Sequence, residues 1–169
     1  MPTVRLSFSP APAHVRTARL VGVATARRAG VAEDLLEEIR LAIGEACSRA
    51  VALHRSVGLS QLVDVVMTDD DRFTVHVTDH AAGTEARAAD PKNPDDFLAE
   101  SPPQAPRTPD LLAEEAVVAR MGLALLAGLV DDLEVASVPG GVGTEVRMSW
   151  PLMRMKAPDD DQWSPNRAK

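Results

Sequence analysis

A chain of 169 residues fits one domain with room to bury a proper core. Its apolar fraction of 45% excludes disorder throughout, and aromatics at 3% leave Val, Leu, Ile and Ala to build the interior. The net charge of -7 argues against general binding to nucleic acid or anionic membrane, which reward basic surface, but not against docking on a basic patch of a protein. The single cysteine, Cys47, falls within an apolar stripe and reads as a small buried hydrophobe. The N-terminus lacks the basic head and apolar run of a signal peptide, and the longest apolar run, Met121 to Val130, is too short to span a bilayer. These features predict a soluble, cytoplasmic protein.

In chain order, residues 3 to 8 (TVRLSF) alternate with Val4, Leu6 and Phe8 on one side, a strand with one covered face. Pro12 suits the first turn of a helix that carries Val15, Ala18, Leu20, Val21, Val23 and Ala24 and ends near Gly30. A second helix starts near Ala32, with Glu33, Asp34, Glu37 and Glu38 at its positive end. Its stretch EEIRLAIGEACSRAVALH, residues 37 to 54, places Ile39, Ala42, Ile43, Ala46, Cys47, Ala50 and Val51 at helical steps, with Glu38, Glu45 and Arg49 along one flank. Leu59 to Met67 alternates, DDD turns, and Phe73 to Val77 alternates again, a β-hairpin that runs into Asp79. Residues 84 to 119 keep no apolar period and read as a functional or disordered lid. Met121 to Val130 is helical, Leu133 to Val138 a strand, PGGVG a turn and Thr144 to Trp150 a last strand, before a polar tail over 153–169. The expected fold is α+β: a two-layer sandwich whose mixed, mostly antiparallel sheet is covered on one face by helices, with residues 1–152 as the domain.

Three separated blocks, in this order, resemble the ATP-binding module shared by gyrase, histidine kinases and anti-sigma-factor kinases, the Bergerat or GHKL fold. They are EIRLAIGEACSRAV, VHVTDHAAG, and MGLALLAGLVDDLEV followed by GGVGTEVRMSW. With the helix around PAHVRTARL, the likeness spans most of residues 3 to 152 and is nearest to the short bacterial anti-sigma factor and serine kinase of the RsbW and SpoIIAB type. The resemblance implies that Glu45 is the general base for an attacking serine hydroxyl, and that Asp79 reads the adenine amino group. It implies that Gly83 lets the backbone approach the base, that Gly122 opens a helix facing phosphate, and that Thr144 supports the adenine edge. It places Arg19 at a partner interface. The implied ligand is ATP or ADP; the implied partners are a sigma factor, a STAS-domain anti-anti-sigma factor and a second copy in a homodimer, with no direct contact to nucleic acid or membrane.

The chain departs from the family pattern where Asn is asked for four residues after the Glu and Arg49 stands instead. An amide oxygen ligates magnesium, whereas a guanidinium has donors only, so no metal ligand is expected here. Ala81 replaces the first glycine of the adenine turn, and Ala119 and Arg120 stand where lid glycines precede Gly122. Three readings of Glu45 and Arg49 stand open: an i,i+4 ion pair, a catalytic Glu whose metal ligand is lost, or an arginine that contacts phosphate directly. Asp79 alone also reads as a turn residue ending a strand. The four histidines show no metal-ligand spacing. The functions that follow are an anti-sigma regulatory factor with a weakened ATP site, an active serine kinase using Mg-ATP on its STAS partner, or a nucleotide sensor with an altered pocket.

Overall fold

A computed structural model describes residues 2–82 and 121–153. The lid expected over 84–119 and the tail after Met153 lie outside the described residues. Strand β1 (Thr3–Phe8) leads to helix α1 (Pro12–Ala29), a short 3-10 turn (Glu33–Leu35) and helix α2 (Leu36–Ser56). Strands β2 (Val63–Asp69), β3 (Arg72–Thr78), β4 (Leu133–Ser137) and β5 (Thr144–Pro151) complete the sheet, and residues 121–129 are helical.

The five strands lie in the order β1-β2-β3-β5-β4, and every neighbouring pair is antiparallel. The sheet is therefore antiparallel throughout the described residues rather than mixed. Register explains the two layers. Cross-strand partners fall on one face of a sheet, so Phe8↔Val63, Val77↔Val146, Val75↔Met148 and Phe73↔Trp150 all point the same way. Those residues are buried with Val15, Ala18 and Ala26 of α1 and Ile39, Ile43, Ala46 and Cys47 of α2 in one core. The opposite face carries polar pairs such as Ser7 with Asp64 and His76 with Glu145, the pattern of a sheet solvated on one side. The structure is thus an α+β sandwich with its helices on one face.

Local chemistry sets the boundaries. Pro12 opens α1, where its missing N–H costs nothing, and Gly30 closes it in the left-handed region at φ 89, returning its N–H to Ala26 and Arg27. Strand β2 starts at Val63 rather than Leu59. Residues 59–61 are first folded back on α2, by Leu59 N–H donating to the His54 carbonyl and by the His54 ring bonding the Gln61 carbonyl. No helix of the described residues is long and apolar enough to cross a membrane.

Candidate functional site

Asp79 follows β3 directly, and its backbone N–H donates to the Thr144 carbonyl at 2.9 Å, so the β3–β5 ladder continues one step into the site. Gly143 makes this approach possible. It sits at φ +109, and a Cβ there would lie 2.0 Å from the Asp79 carbonyl oxygen. The Asp79 carboxylate, itself fully buried, is then aimed by backbone: Oδ1 accepts N–H bonds from Ala81 at 3.2 Å and Thr144 at 3.4 Å. Thr144 is also fully buried.

The opposite wall is α2. Arg49 Nη1 donates to Asp79 Oδ2 at 2.8 Å, and the two side chains are 5% and 0% exposed. Burial weakens the guanidinium's hold on its proton while Asp79 opposes that effect. An arginine stays charged under such conditions, so this is a desolvated ion pair. Its partner is not the one expected along the helix. Arg49 turns across to the sheet instead of back to Glu45, because a buried carboxylate without a cation costs far more than an exposed i,i+4 pair returns. Glu45 is left half-buried, with no hydrogen bond or ion pair among the described residues.

Gly122 completes the wall. A methyl group placed on it would lie 3.5 Å from Arg49 Cβ and 3.8 Å from the Glu45 carbonyl oxygen, so the helical residues 121–129 begin against the turn of α2 that carries both side chains. Arg49, Asp79 and Thr144 are therefore in direct contact, and Gly122 lies against the turn of α2 that carries Glu45 and Arg49. Arg19 does not join them: it lies over Gly44, where a Cβ would come within 2.1 Å of its Nε. Gly83 lies outside the described residues.

The model of the histidine kinase-like ATPase domain matches residues 8–150. The chain belongs to this family. No curated protein matches the chain. The family's name implies a nucleotide with its metal, and the donor set here can be tested against both. The wall facing Asp79 offers a guanidinium, which has no lone pair to give a cation and repels it. Among the described residues no cluster of three or more His, Cys, Asp or Glu side chains is placed to hold a metal. The described residues do not fit a magnesium nucleotide, because the wall facing Asp79 is a guanidinium and the carboxylate at the end of β3 is already engaged by it.

One functional element had no signal in the residues taken singly. His54 is fully buried and its two ring nitrogens have opposite duties. Nδ1 faces the Gln61 carbonyl at 3.0 Å, and Nε2 accepts the backbone N–H of His80 at 2.8 Å. A carbonyl only accepts and an amide N–H only donates, so the ring is neutral with its proton on Nδ1. The residue after Asp79 is thereby clamped to α2. His80 in turn bonds Asp64 through Nε2 at 3.0 Å.

Proposed function

We propose that this chain is an anti-sigma-type regulatory factor: a cytoplasmic homodimer that binds a sigma factor and is released by a STAS-type anti-anti-sigma partner, with an adenine-nucleotide site kept in outline and weakened in use. The observation that carries the reading is the buried Arg49–Asp79 pair inside a histidine kinase-like ATPase domain. Phosphoryl transfer relies on metal ions that neutralise developing charge, and an arginine at this wall favours a partner-binding role over phosphoryl transfer. Arg19 supports the partner-binding half of the reading. It is half-buried over Gly44 of α2, with part of its side chain left at the surface to meet a partner.

The serine-kinase reading has one observation in its favour, the Glu45 carboxylate, half-buried on α2 with no hydrogen bond or ion pair among the described residues and so uncommitted as a base for a serine hydroxyl. Reconstitution separates the two. The purified chain is titrated with each sigma factor and each STAS-domain protein of its own genome, and each STAS protein is incubated with the chain, labelled ATP and magnesium. Sigma-factor binding that a STAS protein displaces, without label transfer, supports the regulatory reading. Label on a STAS serine selects the kinase, and binding to neither class removes both.

A further inference from the structure

The framework around Asp79 and the group that fills it point in different directions. The carboxylate is oriented by backbone N–H groups of Ala81 and Thr144, from two separate parts of the chain, and the strand ends are locked by Asp79 N–H to the Thr144 carbonyl. None of these contacts involves α2. To the carboxylate itself α2 brings Arg49, with Nη1 at 2.8 Å from Oδ2 and only 5% exposed. A receptor pre-organised by backbone and occupied by one flexible side chain is the arrangement of a binding site with its ligand tethered.

We infer that Arg49 is an internal ligand: its guanidinium fills the carboxylate pocket floored by Asp79 and closes it to adenine nucleotides, and removing that side chain leaves a receptor for small planar N–H donors. The chemistry names the class. A buried carboxylate oriented by backbone amides is best met on its other oxygen by a donor in the plane of its oxygens, and prefers one with positive charge. Free guanidinium meets both demands. The exocyclic amino group of adenine meets only the first, and binds less tightly at this atom. The nucleotide arm rests on the reading of Asp79 given under Proposed function; the guanidinium arm does not.

The side chain also sets what space opens. Arg49 meets Gly122 through its Cβ, so truncation beyond Cβ keeps that contact and removes the part of the side chain that reaches Asp79. Arg49→Ala therefore removes the occupant without removing the wall.

The test is thermal unfolding of wild type, Arg49→Ala and the Arg49→Ala/Asp79→Asn double variant. Each is measured with guanidinium chloride at 1–20 mM against equal sodium chloride, and with ADP, ATP and adenosine without metal, on the order of tenfold below and above an apparent Kd. These guanidinium concentrations are about a hundredfold under the denaturing range. The expected result is a lowered Tm for Arg49→Ala that guanidinium raises in a saturable manner, with no such rise in wild type or the double variant. Adenine nucleotides are expected to raise the Tm of Arg49→Ala and leave wild type unmoved. Guanidinium rescue without a nucleotide response confirms the internal ligand and removes the nucleotide reading of Asp79. Absence of guanidinium rescue overturns the proposal, as does wild type binding ATP as tightly as Arg49→Ala. Should Arg49→Ala not fold, Arg49→Gln keeps a planar N–H donor without the charge, and the wild-type titration stands by itself: a nucleotide-dependent Tm rise there also overturns it.

Discussion

Arg49 and Asp79 are 30 positions apart and withdrawn from water, and Asp79 opposes the loss of the Arg49 proton that burial favours. Breaking such a pair by removing one partner costs roughly 3–5 kcal/mol, most of it the burial of the charge left behind, whereas replacing both by apolar groups of similar volume is often neutral. Arg49→Met and Asp79→Leu should each destabilise by that order, and the double variant by less than either alone. Urea unfolding of the four proteins reads the cycle; additive losses would show that the two charges do not depend on one another. His54 gives a second prediction, on pH. Burial depresses its pKa below the ordinary 6.5, against smaller opposing effects from the Gln61 bond, Asp79 and Asp64, with His80 adding to the depression. A base with a lowered folded pKa takes up its proton first in the unfolded chain, so its contribution is complete above about 6.5 and is lost as pH falls below that value. Stability should decline between pH 7.5 and 5, with a shallower decline in His54→Gln, as measured by urea unfolding at each pH. Asp64 does not confuse this window. Burial raises its pKa, but bonds from Ser7 and His80 outweigh that and lower it, so its own loss begins only below the ordinary 3.8. An unchanged slope in His54→Gln would mean that another group carries the acid sensitivity.

Between elements, close approach of backbone decides more than hydrophobic bulk. Gly143→Ala would force an L-residue to φ +109 and set its Cβ 2.0 Å from the Asp79 carbonyl, with backbone on both sides and nothing free to yield. The cost should exceed about 2 kcal/mol. Gly140→Ala is the internal control: it too has positive φ, +66, but open space around the new methyl, so about 1 kcal/mol of strain is all it should show. Equal midpoints in urea for the two variants would remove the argument that strand ends are pinned at Gly143. The same principle explains what the α1 pattern hid. Its residues read as a mostly apolar helix through Val15, Ala18, Leu20, Val21, Val23 and Ala24 with no face singled out, yet Leu20 is 62% exposed, and the buried positions are Val15, Ala18, Gly22, Thr25 and Ala26. A Cβ on Gly22 would meet Ile43 at 2.2 Å, so the helices lie too near for leucine at the contact and small residues take it. Counting large apolar residues finds a helix; it does not show which face is buried when the neighbour is this close.

For the molecule as a whole, strand alternation and helix period were enough to give the sheet and its helical layer, because each is a local pattern with one buried side. The partner of Arg49 was not legible, since i,i+4 neighbours are visible in a sequence and a carboxylate 30 positions away at the end of a strand is not. The meeting of Thr144 with Asp79 was foreseeable only through resemblance, for the same reason. Cooperativity of the assembled core can be read through the one cysteine. Cys47 is fully buried on the α2 face, and burial pushes its thiol up to about 12, with Arg19 opposing only in part. A thiol reacts as thiolate, so in the folded protein Cys47 is both hidden and almost wholly protonated at neutral pH. Helix α2 also carries core contacts on both sides of Cys47, from Ile39 to Val51, and has no way to expose that side chain while the sandwich is closed. Modification by an aromatic disulfide reagent should therefore follow global unfolding, with the opening free energy from labelling rates equal to that from denaturant extrapolation. Labelling much faster than global unfolding would show that α2 parts from the sheet by itself, and a helix that swings free would carry Arg49 off Asp79 and open the site with it.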